Sequence, residues 1–252
     1  MDGFELSILC AVALATSILS AIVGMAGGIT LLSAMLLFFD PLVAIPIHGV
    51  VQLVSNGSRT VIQRRHVEWW IFGLYAIPLL PLGFIGVGIA QQLPPAGLKC
   101  AIGVFVMLAT WAPGAMLAGT HPERSLPRRR FLVLGAVVGV LNTTIGATGP
   151  LIAPFFLNLG LARQGVIGTK AACQAAGHLA KIVIFGAVGF AFVPFLLPLL
   201  LLSAVTVVGT AIGSQLLDHV NETWFVRLYK GVLSLIAIRL IVWDGLAAIG
   251  LR

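Results

Sequence analysis

Charge is what this chain has least of. Only 9% of its 252 residues are Asp, Glu, Lys or Arg, against about a quarter in an average soluble domain. Hydrophobic residues make up 59%, and the mean hydropathy is +1.08. A soluble fold must face water over its whole exterior, and this composition cannot supply that exterior. A soluble enzyme, a disordered chain and an ordinary nucleic-acid-binding domain, which needs a water-exposed basic face, are therefore excluded. Cysteine is scarce too: Cys10, Cys100 and Cys173 stand singly in apolar segments, without disulfide or metal-ligand spacing. Basic charge is missing at the N-terminus, where Asp2 and Glu5 flank the first apolar run, so that run reads as a membrane helix and not as a removed signal peptide. No GxxxxGK[ST], HExxH or GxSxG motif occurs.

What is present is apolar length. Ten stretches run over 5–23, 26–39, 42–62, 68–90, 96–118, 131–145, 147–161, 165–186, 190–217 and 224–250. Runs near 20 residues mark transmembrane helices, whereas a membrane barrel would alternate in segments of about 10. The expected fold is an all-α polytopic membrane protein of about 8–10 helical segments. One long polar connection, Gly119 to Arg130, falls near the midpoint. It divides the chain into a first transmembrane repeat over 1–118, a basic cytoplasmic linker over 119–130 and a second repeat over 131–252, together one membrane domain.

The halves match residue by residue. Gly24-Met-Ala-Gly27-Gly28 lies 122 positions before Gly146-Ala-Thr-Gly149-Pro150. In that register His48 faces Lys170, Gln52 faces Gln174, Asn56 faces His178 and Arg59 faces Lys181. Further on, Lys99 to Gly103 faces Arg227 to Gly231 at a shift of 128. Each half thus has a glycine-broken pair of short helices and three long ones. Cytoplasmic loops carry Lys and Arg, and here Arg64, Arg65, Arg128 to Arg130, Arg163, Arg227 and Lys230 mark them. That placement sends the third stretch inward and its partner, the eighth, outward, so the repeats are inverted, as in many secondary transporters. A single broken span in each half would instead give a parallel repeat. Trp69 and Trp70 read as an interfacial anchor.

The chemistry lies on the two matching helices. His48, Gln52, Asn56 and Arg59 fall within an arc of about 80°, spread over a rise of about 16 Å. Lys170, Gln174, His178 and Lys181 repeat that stripe. A cation at mid-membrane costs about 2.5–3.5 kcal/mol and should face a partner inside the bundle. The eight acids are Asp2, Glu5, Asp40, Glu68, Glu123, Asp218, Glu222 and Asp244, all at segment ends or in loops except Asp244. An anionic ligand would supply the missing charge. Helix N-termini at the glycine breaks, at Gly24, Gly27, Gly28, Gly146 and Gly149, would add backbone N–H donors, with hydroxyls from Thr143, Thr144 and Thr148. His48 and His178 are the candidates for proton coupling, because imidazole titrates near neutral pH. The blander readings are helix–helix hydrogen bonding for the amides, snorkelling for Arg59 and Lys170, satisfied core histidines, and glycines that serve close packing. An intramembrane enzyme or a non-transporting scaffold are the rival classes.

Through the two glycine breaks, Pro41 with the polar helix to Arg59, and Gly168-Thr169-Lys170 onward, the chain resembles the sulfite exporter TauE/SafE family, also called the 4-toluene sulfonate uptake permease family. Its first motif is poorer in glycine than is usual there, and Pro150 stands where the second usually has glycine. The resemblance implies a secondary carrier of the bacterial inner membrane that exports or takes up sulfur oxyanions or organosulfonates. The expected partners are then a small anion and the bilayer, with no cofactor, no metal and no nucleic acid. A homo-oligomer is compatible with this.

Overall fold

The computed structural model describes residues 3–23, 27–114, 129–157, 159–216 and 222–250, and all regular elements among them are helical. Gly24 and most of the polar linker lie outside the described residues. The elements are α1 (Gly3–Val23), α2 (Gly27–Met35), α3 (Pro41–Ile62), α4 (Trp69–Ala76), α5 (Leu79–Gln92), α6 (Pro95–Trp111), α7 (Arg130–Thr144), α8 (Gly149–Leu157), α9 (Arg163–Ala187), α10 (Leu196–Leu216), α11 (Glu222–Arg239) and α12 (Gly245–Ala248). The starts of α2 and α8, and of α3 and α9, are each 122 positions apart, and both α2 and α8 have nine residues.

Two apolar stretches are less simple than their hydropathy. The stretch over 68–90 is divided into α4 and α5, which meet at a bend of 41°. Pro78 stands at that junction; it lacks the N–H that would continue the ladder, and its ring opposes the carbonyl four residues back. The last stretch contains a π turn, Leu240–Asp244, between α11 and α12. Across it the Arg239 guanidinium donates to the Asp244 carboxylate at 2.6 Å. Asp244, the one acid inside an apolar run, therefore has its partner one turn away on its own helix.

Helix directions follow from which residues touch. Gly209 and Gly213 of α10 pack on Leu14 and Ile18 of α1, so these helices run the same way. Gly135 and Gly139 of α7 pack on Tyr75 and Leu79, beside α4 and α5, also in the same sense. By contrast α3 and α9 run oppositely: His48 meets His178 near one end, and Gln63 meets Gly168 near the other. In α6 and the α11 segment, Trp111 bonds Ser234 while Cys100 lies by Ile241, again an opposed pair. The ends that meet at Gln63 and Gly168 also bring Trp70 within 6.4 Å of Phe131. Arg64, Arg65, Arg129, Arg130 and the start of α9 at Arg163 thus gather at one end of the bundle.

The outer face is apolar. Val193, Leu197, Leu200 and Leu235 are each more than 60% exposed, which only lipid tolerates over so wide an area. Among the described residues, the segments Gly3–Ala21, Val193–Gly213 and Lys230–Ala248 are each long and apolar enough to cross a membrane, and the bent pair α4–α5 makes a fourth if it is one span and not a re-entrant loop. The protein is a helical membrane protein. Helices α3 and α9, with 22 and 25 residues, match these in length but not in apolar character, because they carry the polar stripes.

Candidate functional site

The stripes meet where α3 crosses α9. The spacing of four residues stacks His48, Gln52 and Asn56 on one face of α3, and Lys170, Gln174 and His178 on the facing side of α9. All six, with Arg59, line one narrow cleft. Its remaining wall is made by Ser20 of α1, by Gly28 and Ile29 at the start of α2, and by Ala147, Thr148 and Gly149 at the start of α8. The two nine-residue helices therefore begin at the cleft, with their positive dipole ends toward it. Pro150 falls in the first turn of α8, where a missing N–H costs nothing, so its departure from glycine is accommodated.

The polar groups are only partly satisfied within the protein. The Arg59 guanidinium donates to the Ser20 hydroxyl at 3.1 Å, a neutral partner. Asn56 donates through Nδ2 to the Gln52 carbonyl at 3.0 Å. His48 donates through Nε2 to the Gly28 carbonyl at 2.8 Å, leaving its Nδ1 buried without a partner among the described residues. The His178 ring stands edge-on to His48, 5.7 Å between centroids, and its Nδ1 is also buried with no partner among the described residues. Buried polar atoms are ordinarily satisfied, so two such nitrogens on facing helices of one cleft mark a place where a ligand could bind.

Of the eight stripe residues, Lys181 is the one that does not line the cleft. It is fully buried, and its ammonium donates to the Gly146 carbonyl at 2.6 Å. The glycines also divide. Gly28 and Gly149 line the cleft; Gly27 is pressed against the Thr16 carbonyl and Ser20 of α1, a packing role. Gly146 donates its N–H to Leu141 and its carbonyl takes Lys181, so it holds a lysine and presents no free N–H. Thr143 and Thr144 turn the other way, donating to the Gly83 and Gly86 carbonyls of α5, each at 2.9 Å, and of the three predicted hydroxyls only that of Thr148 reaches the cleft. Ser20 escaped the sequence reading because it comes from a third helix; its signal was a small polar residue four positions before the first glycine break.

A larger cavity of about 470 Å³ adjoins the cleft and shares Ser20, Asn56, Arg59, Lys170 and Gln174 with it. Its outer walls are mostly apolar, including Ile62, Ile167, Val207 and Ala211, and it lies toward the end where the cations gather. The cleft itself admits only about 20 Å³, room for about one water. Arg59 and Lys170 stand at the junction of the two spaces.

This lining includes no carboxylate and no cysteine, and no group of three His, Cys, Asp or Glu among the described residues is placed to hold a metal. A guanidinium, an ammonium, amides, a hydroxyl and helix N-termini together make a set of donors suited to oxyanion oxygens. No curated protein and no solved structure matches the chain. A family model described as sulfite exporter TauE/SafE, a family of membrane transporters, matches residues 9–240, nearly the whole length, and the chain belongs to that family.

Proposed function

We propose that this protein moves a small sulfur oxyanion, sulfite or the sulfonate group of a small organic anion, through the cleft between α3 and α9. The observation that carries the reading is the junction at Arg59 and Lys170. Two cationic side chains line one polar cleft that holds no carboxylate among the described residues, and a cavity of about 470 Å³ leads from them to the basic end. The anion binds at that junction. Arg59 gives it a two-pronged guanidinium, Lys170 a point charge, and Gln52, Asn56, Gln174 and Thr148 donate to the remaining oxygens. An organic substituent would lie against the apolar walls of the wider cavity.

The equal lengths of α2 and α8, the common shift of 122 and the opposed directions of α3 and α9 support two inverted repeats, residues 1–118 and 131–252, with the site between them. Positive charge collected at one end supports a cytoplasmic location for that end, as in a bacterial inner membrane. Coupling runs through protons or the membrane potential, with His48 and His178 as the groups that would hold a proton.

The test is uptake of radiolabelled sulfite by proteoliposomes, with sulfate, lactate and a monovalent cation as competitors. Sulfite flux should fall about tenfold or more in Arg59→Gln and in Lys170→Gln, in keeping with loss of a charge-assisted bond. Absence of anion flux, or flux unchanged in the double variant, refutes the assignment.

A further inference from the structure

We infer that Lys181 is a latch that closes the transport path at the end away from the wide cavity, and that it positions the start of α8 without touching the anion. The inference rests on the cleft being the transport path. Lys181 lies 11 residues beyond Lys170 on α9, a rise of about 16 Å, so it stands at the opposite end of the site from the basic mouth. There the chain is tightly closed: Leu32 is 1% exposed, and Ile45 and Lys181 are not exposed at all.

Three segments are tied together at that point. The Lys181 stem crosses α3 at Gly49, where even a methyl group would come to 3.0 Å from its Cδ. Its ammonium then reaches the Gly146 carbonyl in the turn between α7 and α8. That carbonyl has little freedom. Gly146 has φ +92°, its N–H is held by Leu141, and a Cβ there would lie 2.7 Å from Leu32 and 2.9 Å from Ile45. The next three residues, Ala147, Thr148 and Gly149, line the cleft. One lysine thus joins α3, α9 and the turn that delivers the α8 N-terminus to the site.

The chemistry suits a contact that must break. In a dry interior a charge-assisted hydrogen bond is strong, and a buried ammonium without an acceptor is costly. If water enters this end, the ammonium is hydrated and the bond loses most of its advantage. The tie is therefore stable when the end is closed and dispensable when it is open, as a gate with two states requires.

The test uses protein with Cys10 and Cys100 changed to serine and Cys173 to alanine, carrying Ile45→Cys as a reporter. A membrane-impermeant maleimide is applied from the side away from the basic end. Lys181→Met should raise the labelling rate about tenfold or more, while Lys181→Arg, which keeps the donor, should stay near the parent rate. Stabilisation by sulfite should survive in both. Gly49→Ala, a milder change that pushes the lysine stem aside, should raise labelling in the same direction and serves if Lys181→Met does not fold. Labelling unchanged in Lys181→Met and Gly49→Ala overturns the latch. Loss of the sulfite effect with labelling unchanged makes Lys181 an anion ligand and overturns it as well. Failure of sulfite to stabilise the parent protein counts against the proposed substrate, whereas the labelling rates still decide the latch.

Discussion

Arg59 shows why the identity of one side chain matters at this site. Its guanidinium has more donors than the one bond to Ser20 seen among the described residues uses, and it stands where the cleft widens. Arg59→Ala should weaken sulfite binding about 10- to 100-fold, read by thermal-shift titration of the purified protein. Arg59→Lys should recover only part of this, because an ammonium cannot hold Ser20 and the anion in one plane. Gly146 makes a separate, structural demand. Gly146→Ala should lower stability by about 1–3 kcal/mol from backbone strain at φ +92°, before crowding against Leu32 and Ile45 is added; thermal unfolding in detergent measures it. The polar stripes were legible in the sequence because their eight residues recur at helical spacing, and the cleft collects seven of them. Partners were not legible. That Lys181 would find a backbone carbonyl, and that Thr143 and Thr144 would spend their hydroxyls on α5, depends on which helix lies alongside, and no spacing within one helix encodes that.

At the scale of elements, glycine has opposite effects according to what lies across from it. A Cβ on Gly27 would be driven into the Thr16 carbonyl and to 2.6 Å from the Ser20 Cβ, so the α1–α2 hairpin closes only if that position is bare. Gly57, on α3, has nothing within 4 Å. Gly27→Ala should therefore destabilise the protein by about 1–3 kcal/mol, while Gly57→Ala should be neutral or stabilising by up to about 1 kcal/mol. Unfolding of both in one detergent makes the comparison, and equal effects would show that the hairpin packing is looser than described. Helix positions were largely readable, since apolar runs and glycine breaks set them: the stretch over 131–145 becomes α7 at Arg130–Thr144. The bend at Pro78 and the π turn at Leu240–Asp244 were hidden, because mean apolarity averages over a proline and says nothing about hydrogen-bond register.

For the whole molecule, direction is the property that decides the mechanism. Helices α1 and α10 run the same way, so Phe4 and Val193, each 74% exposed near their starts, lie at one end of the bundle. His66, also exposed, lies between α3 and α4 at the other end, beside Arg64 and Arg65. If basic loops stay in the cytoplasm, a cysteine at 4 or 193 should react with an impermeant maleimide added outside intact cells, and a cysteine at 66 only after the cells are opened. Reaction at 4 and 193 from opposite sides would contradict the helix packing itself. Reaction of all three with the sides exchanged would leave the packing intact but turn the molecule over. The wide cavity beside Arg59 would then open outward, and the form described here would be the one that loads or releases its anion outside the cell. The same three cysteines thus separate an error of fold from an error of orientation, and the second alone would reverse the state that Lys181 is proposed to lock.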